Sequence, residues 1–246
     1  GYGKKSYKQL AALRKQFSNR LTNNTLFDMA SVSKQFTAAA VLKLCSENKL
    51  KLSDTLGKFL PQLPYGDVTI NQLLTHTSGL PEYFDFPYTY YVDSVFYVTN
   101  EQLIRVLSEK KHSKVFPSGT KFSYTNTNYA LLAAIVAQVS GTTFENYVHQ
   151  NIWAPAGMKN TYFFTEIDSA EKQGLLQQTP LARGHWSNGA FVVYDRLNGV
   201  LGDKCVYSNM QDLFQWERAY LKNYKVLPKE WVNKAISLED TLSGGQ

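Results

Sequence analysis

The stretch Asp28–Val41 reads DMASVSKQFTAAAV and sets Ser31 three residues before Lys34, at the head of a long apolar run. From Ser31 to about Leu50 there is no Gly or Pro and much Ala, Val and Leu, which predicts a helix. Val32, Phe36, Ala39, Ala40, Leu42 and Leu44 cover most of its circumference, the pattern of a centrally buried helix. Ser-x-x-Lys recurs at Ser46, Ser108, Ser118 and Ser169, but those matches fall near a helix end, in a Lys-rich end, in a turn and in a polar loop. Only Ser31 stands on the first turn of a buried helix, with Lys34 on the same face.

That placement meets chemical needs. A serine hydroxyl is a poor nucleophile until a base takes its proton. Lysine, with an ordinary pKa near 10.4, is a base at neutral pH only where burial and a helix N-terminus disfavour its charge. A shift of about three units asks for roughly 4 kcal/mol, which a buried helix start can supply. The Ser31 N–H, free at a helix start, can donate to an oxyanion.

Tyr-x-Asn occurs twice. Tyr124-Thr125-Asn126 lies just before an apolar helix, where a phenol can relay a proton and an amide can hold substrate. Tyr207-Ser208-Asn209 reads as a helix cap. The histidines, 76, 112, 149 and 185, are scattered, and His76 in THTSG reads as a turn residue. No G-x-S-x-G, H-E-x-x-H, C-x-x-C, phosphate loop or G-x-G-x-x-G is present.

Around the Ser31 segment, Thr69–Leu74 predicts a short helix entering HTSGLP, and Thr99 with Gln102 a capped helix. Asn126–Ser140 predicts an apolar helix stopped by Gly141, Thr143–Ile152 another ended by APAG, and Ser208–Tyr220 and Pro228–Ile236 two more. FVVYD at 191–195 is the clearest strand and YFF at 162–164 a weaker one. The aromatic segment from Tyr83 to Tyr91 is expected to pack on the helices or to line an acyl pocket.

A length of 246 residues, 43% hydrophobic, suits a folded chain with a sizeable core. No apolar run is long enough for a membrane span. The net charge of +6 concentrates at Lys4, Lys5, Lys8, Arg14, Lys15 and Arg20 and at Lys110, Lys111 and Lys114. Without a nucleic-acid motif these read as solvated ends. The two cysteines make no disulfide framework, and Cys45 reads as a buried thiol.

Taken together, TLFDMASVSKQFTA, QLLTHTSGLP, FSYTNTNYALLAAIVAQVSG, NIWAPAGMKNTYF and GVLGDKCVYSNMQDLFQW resemble the serine β-lactamase and penicillin-binding-protein superfamily. The likeness is to its class C-like branch of β-lactamases, D,D-peptidases and esterases. It implies an α+β fold spanning 1–246, with a helical part at roughly 53–160 packed on an antiparallel sheet. It implies Ser31 as acylated nucleophile, Lys34 and Tyr124 as the general-base pair and Asn126 as a substrate ligand. Neither metal nor cofactor is expected. The implied substrate is a β-lactam, a D-Ala-D-Ala-type peptidoglycan peptide or an ester, with no nucleic-acid partner, in a periplasmic or secreted setting. A penicillin-binding sensor module that is acylated without turnover is the alternative. The sequence does not give the oligomeric state. Strands before Gly1 and the third, Lys- or His-x-Gly motif have no counterpart. Lys172-Gln173-Gly174 lies upstream of the expected place and reads as chance. The expectation is therefore that these 246 residues belong to a longer polypeptide.

Overall fold

The computed structural model describes residues 21–91, 97–172, 181–188, 190 and 195–237. The basic cluster before residue 21 and the strand expected at 191–195, apart from Asp195, lie outside them. So does the Lys172–Gly174 match beyond Lys172.

Strand β1 (Phe27–Asp28) leads into a 3-10 turn at Ala30–Ser33, and helix α1 follows at Lys34–Ser46. The helix expected from Ser31 to Leu50 is therefore shorter at both ends. Its first turn is wound tighter because Ala30 holds a left-handed φ of 44°, with its N–H donating to the Asp28 carboxylate at 2.8 Å. Such a φ costs an L-residue about 1–2 kcal/mol and turns the chain sharply at this point. Phe36, Ala39, Ala40, Leu42 and Leu44 are buried as the pattern demands, whereas Val32 is 50% exposed.

Helices α2 (Leu56–Phe59) and α3 (Ile70–Leu74) come next. Helix α3 opens on a Thr69–Gln72 capping box. Helix α4 (Asn100–Lys110) has the predicted Thr99–Gln102 box, with Thr99 N–H donating to Gln102 Oε1 at 2.9 Å. Helix α5 (Asn126–Ser140) is buried along most of its length and stops at Gly141, whose φ is 70°. Helix α6 (Phe144–Val148) runs through a π-turn at His149–Trp153 into α7 (Ala154–Ala156), so the helix expected over 143–152 is a composite.

Strand β2 (Tyr162–Phe163) precedes α8 (Phe164–Lys172), and β3 (Val206–Ser208) precedes α9 (Met210–Glu217). A π-turn at Arg218–Lys222 and α10 (Lys229–Ile236) follow. The helix expected from Ser208 begins at Met210 because Ser208 is taken into the sheet and Asn209 caps the helix, accepting from Asp212 N–H at 2.8 Å.

The sheet is antiparallel in the order β1-β3-β2, with Phe27 opposite Ser208 and Tyr162 opposite Tyr207. Strand β3, at the centre of the sheet, is buried throughout, whereas β1 is half-buried at Phe27 and exposed at Asp28. Phe36 on α1 meets Trp153 edge-on at 5.7 Å and Trp216 at 4.9 Å between ring centres. Burying side chains of this size stabilises by about 1.5–3 kcal/mol each. Ser33 ties the turn carrying Ser31 to the sheet, its Oγ accepting from Val206 N–H at 3.1 Å. The turn carrying Ser31 is thus fixed from behind by α1, α5 and β3.

In the aromatic segment, Tyr83, Phe86 and Tyr91 are buried, as packing on the helices requires, while Phe84 and Tyr88 are exposed. Cys45 is a buried free thiol, its pKa pushed up to about 11 by burial.

Candidate active site

Tight winding at Ala30–Ser33 throws the Ser31 side chain outward and keeps Lys34 inward. Ser31 is exposed and Lys34 is 7% exposed. The amine reaches back to Ser31 Oγ at 3.2 Å. It also donates to Asn126 Oδ1 at 2.8 Å and to the Asp203 main-chain oxygen at 2.7 Å. Both short bonds end on neutral carbonyls. They saturate two N–H directions and leave the third aimed at Ser31.

Tyr124, on the extended segment entering α5, donates its hydroxyl to Ser31 Oγ at 2.8 Å. Its ring lies 4.8 Å from Lys34 Nζ. The four residues singled out in the sequence, Ser31, Lys34, Tyr124 and Asn126, therefore converge on one point at the surface. The Ser31 N–H donates to no acceptor among the described residues.

Among the described residues the other Ser-x-x-Lys matches make no such pair. Ser46 donates to the Lys43 carbonyl and Ser108 to the Gln62 carbonyl. Ser118 donates to Ser78 O and accepts from Lys114, which is also bound to Asp67. The side chain of Ser169 lies outside the described residues. In the second Tyr-x-Asn match Asn209 caps α9, as read from sequence, while Tyr207 and Ser208 end strand β3.

Three further groups complete the site. Glu82 follows the HTSGLP turn, and its Oε2 accepts from Asn126 N–H at 2.7 Å and from Asn126 Nδ2 at 3.0 Å. It thereby caps α5 from a distant segment, in place of the Thr125 side chain, which makes no cap bond. His76 is 8% exposed and stacks behind Tyr124, its ring centre 4.4 Å away. Burial, and after it the Lys34 charge, push its pKa down to about 4. It is therefore a neutral imidazole at physiological pH, with Nδ1 accepting from Thr125 N–H at 3.3 Å.

Asp203 is fully buried, its carboxylate Oδ2 accepting from the Tyr83 hydroxyl at 2.8 Å. Burial pushes its pKa up. The neighbouring Gly202 has a φ of 106°, and a Cβ there would meet Ala133 Cβ at 2.6 Å and the Tyr129 carbonyl. Only glycine lets this loop lie against α5 closely enough for the Asp203 carbonyl to reach Lys34. Asp203 carries a sequence signal in hindsight: a charge set inside the apolar GVLGDKCVY needs a partner if the segment is buried.

A separate cavity of about 1040 Å³ lies beside α4 and the end of α5, lined by Arg105, Ala137, Thr143 and Leu201 among others. It contains none of the four converging residues.

Comparison with known proteins agrees with this architecture. Penicillin-binding protein 4* of Bacillus subtilis is 33% identical over 208 residues, covering 81% of this chain and 46% of the relative. The octameric penicillin-binding protein homologue from Pyrococcus abyssi superposes with a TM-score of 0.71 at 30% identity, over 87% of this chain and 49% of that one. The D-alanine carboxypeptidase AmpC from Burkholderia cenocepacia gives a TM-score of 0.71 at 25% identity, over 96% of this chain and 58% of that one. The chain thus spans about half the length of the curated relative, and its fold is the β-lactamase/transpeptidase-like one, helices on an antiparallel sheet. The Beta-lactamase family model matches residues 4–240, and with Ser31, Lys34, Tyr124 and Asn126 gathered at one point on that fold the chain belongs to the Beta-lactamase family.

Proposed function

We propose that this chain carries the nucleophile of a serine hydrolase that works through an acyl-enzyme. The observation behind this reading is the bracketing of Ser31 Oγ by Lys34 Nζ at 3.2 Å and the Tyr124 hydroxyl at 2.8 Å. Ser31 Oγ attacks a substrate carbonyl carbon, and its proton passes to the Lys34–Tyr124 pair. The Ser31 N–H donates to the developing oxyanion. Asn126, with one Nδ2 proton committed to Glu82, offers the other to the substrate. Collapse breaks the carbonyl bond to the leaving nitrogen or oxygen, which takes the proton from Tyr124. Water then hydrolyses the Ser31 ester by the same path in reverse.

The substrate class is a β-lactam, a D-Ala-D-Ala-type peptide or an ester. The name of the Burkholderia neighbour favours the peptide.

Intact-mass labelling of the full-length protein with a penicillin and with a fluorophosphonate, beside Ser31→Ala, tests the reading. An adduct on the wild type alone, decaying with time, is expected. A penicilloyl adduct that never decays marks an acylation-only module instead. Equal labelling of Ser31→Ala overturns the assignment.

A further inference from the structure

The Lys34 amine has two short hydrogen bonds, and each acceptor is itself held by the same short segment. Asn126 Oδ1 faces the amine at 2.8 Å. A side-chain amide can turn either end towards a neighbour, and only its oxygen can accept from an ammonium. Glu82 settles the choice, because its carboxylate takes the Asn126 Nδ2 proton at 3.0 Å and leaves the oxygen pointing to Lys34. The second acceptor, the Asp203 carbonyl, belongs to a residue whose carboxylate is gripped by the Tyr83 hydroxyl at 2.8 Å. Tyr83 is itself fully buried and pinned to α5, its N–H donating to Thr127 Oγ1 at 3.0 Å. Glu82 is locked by accepting from Phe84 N–H at 3.1 Å. Adjacent residues of one turn thus hold the two residues whose oxygens fix the amine.

We propose that Glu82 and Tyr83 are positioning residues for Lys34, Glu82 by selecting which end of the Asn126 amide faces the amine and Tyr83 by anchoring the Asp203 carbonyl. For its effect on rate this rests on Ser31 and Lys34 acting as proposed above; the geometric part does not. With two N–H groups held by carbonyl oxygens, the third tetrahedral direction of the nitrogen falls on Ser31 Oγ, so the neutral amine directs its lone pair at the serine proton. If the Asn126 amide turns over, its N–H competes for that lone pair.

The test uses Glu82→Gln and Tyr83→Phe in the full-length protein. The first readout is the rate of fluorophosphonate labelling against pH. Glu82→Gln is expected to lower the plateau about 10- to 100-fold. It should also move the acid limb to lower pH, since a turned amide, like the loss of the Glu82 charge, favours the neutral amine. The other titratable groups around the amine, Tyr124, Tyr129, His76 and Asp203, are unchanged in this variant. General loosening would lower the plateau and leave the limb in place, and that result, like wild-type labelling throughout, overturns the proposal for Glu82. Tyr83→Phe, which removes one oxygen, should slow labelling about tenfold, and unchanged labelling overturns its part even if Glu82→Gln fails to fold.

The second readout needs no activity. The Asn126 side-chain N–H resonance, assigned by its loss in Asn126→Asp, should lie downfield through its bond to a carboxylate and move upfield in Glu82→Gln. If wild type is never labelled, the hydrolase reading fails and this resonance alone decides the orientation: an unmoved signal overturns it.

Discussion

The imidazole of His76 lies 4.4 Å from the Tyr124 ring, tilted by 30°, and 5.2 Å from that of Tyr129. It is a neutral plate that backs the phenol. His76 also adopts a φ of 57°, a conformation suited to a turn.

This pairing predicts a pH-dependent loss of stability. The folded pKa, about 4, lies below the ordinary value of 6.5. Between them the unfolded chain binds a proton that the native fold resists, so stability is full above pH 6.5 and falls as the pH drops towards 4. The loss from this group is about 3 kcal/mol. His76→Asn, which tolerates the left-handed backbone, should lack that component. Urea midpoints of the two proteins measured from neutral to acidic pH would show it; parallel curves would remove His76 as the cause.

Ser31, Lys34, Tyr124 and Asn126 were legible in the sequence because context could rank their motifs: an apolar run behind Ser-x-x-Lys and an apolar helix behind Tyr-x-Asn. Helix ends with capping chemistry, at Thr69, Thr99 and Gly141, were equally readable because a cap is local. Glu82, Tyr83 and Asp203 were not, since each acts on a residue 44 to 169 positions away in sequence, and no local pattern encodes such a bond. The short strands β1 and β3 escaped for a related reason. Two or three residues carry no period, and Val206–Ser208 is buried on both faces, which erases the alternation by which a strand is recognised.

Gly202 should tolerate no side chain. At a φ of 106° an added methyl group meets Ala133 on α5 at 2.6 Å, and both backbones are committed to hydrogen bonds. Overpacking and the unfavourable backbone together predict a loss of about 2–4 kcal/mol for Gly202→Ala. Chemical denaturation measures this, and a change below about 0.5 kcal/mol would mean the loop adapts freely.

Asp203 predicts the opposite pH trend to His76. Burial raises its carboxyl pKa in the fold. Once the pH passes the ordinary carboxyl value near 3.9, the unfolded chain gives up a proton that the native state retains, so stability is lost as pH rises towards the folded value. Asn at 203 keeps an oxygen for the Tyr83 hydroxyl and has no proton to lose. The stability of Asp203→Asn relative to wild type should therefore grow from acid to neutral pH. A difference independent of pH would show that the carboxyl is ionised in the fold at no cost.

Tyr124 separates function from stability most cleanly. Tyr124 is 46% exposed, and the one hydrogen bond its hydroxyl makes among the described residues goes to Ser31. Tyr124→Phe keeps the stack on His76 and removes only the oxygen, so the fold should hold to within about 0.5 kcal/mol. If the phenol carries the serine proton to the leaving group, the rate of Ser31 acylation should drop about 10²- to 10⁴-fold, the usual share of a general acid–base. Substrates whose leaving group needs no proton should suffer less, because only the attack step then depends on the phenol. Comparing labelling by a fluorophosphonate with hydrolysis of an amide separates the two steps. Equal losses on both would place the phenol in the attack alone, and no loss on either would leave Lys34 as the sole base.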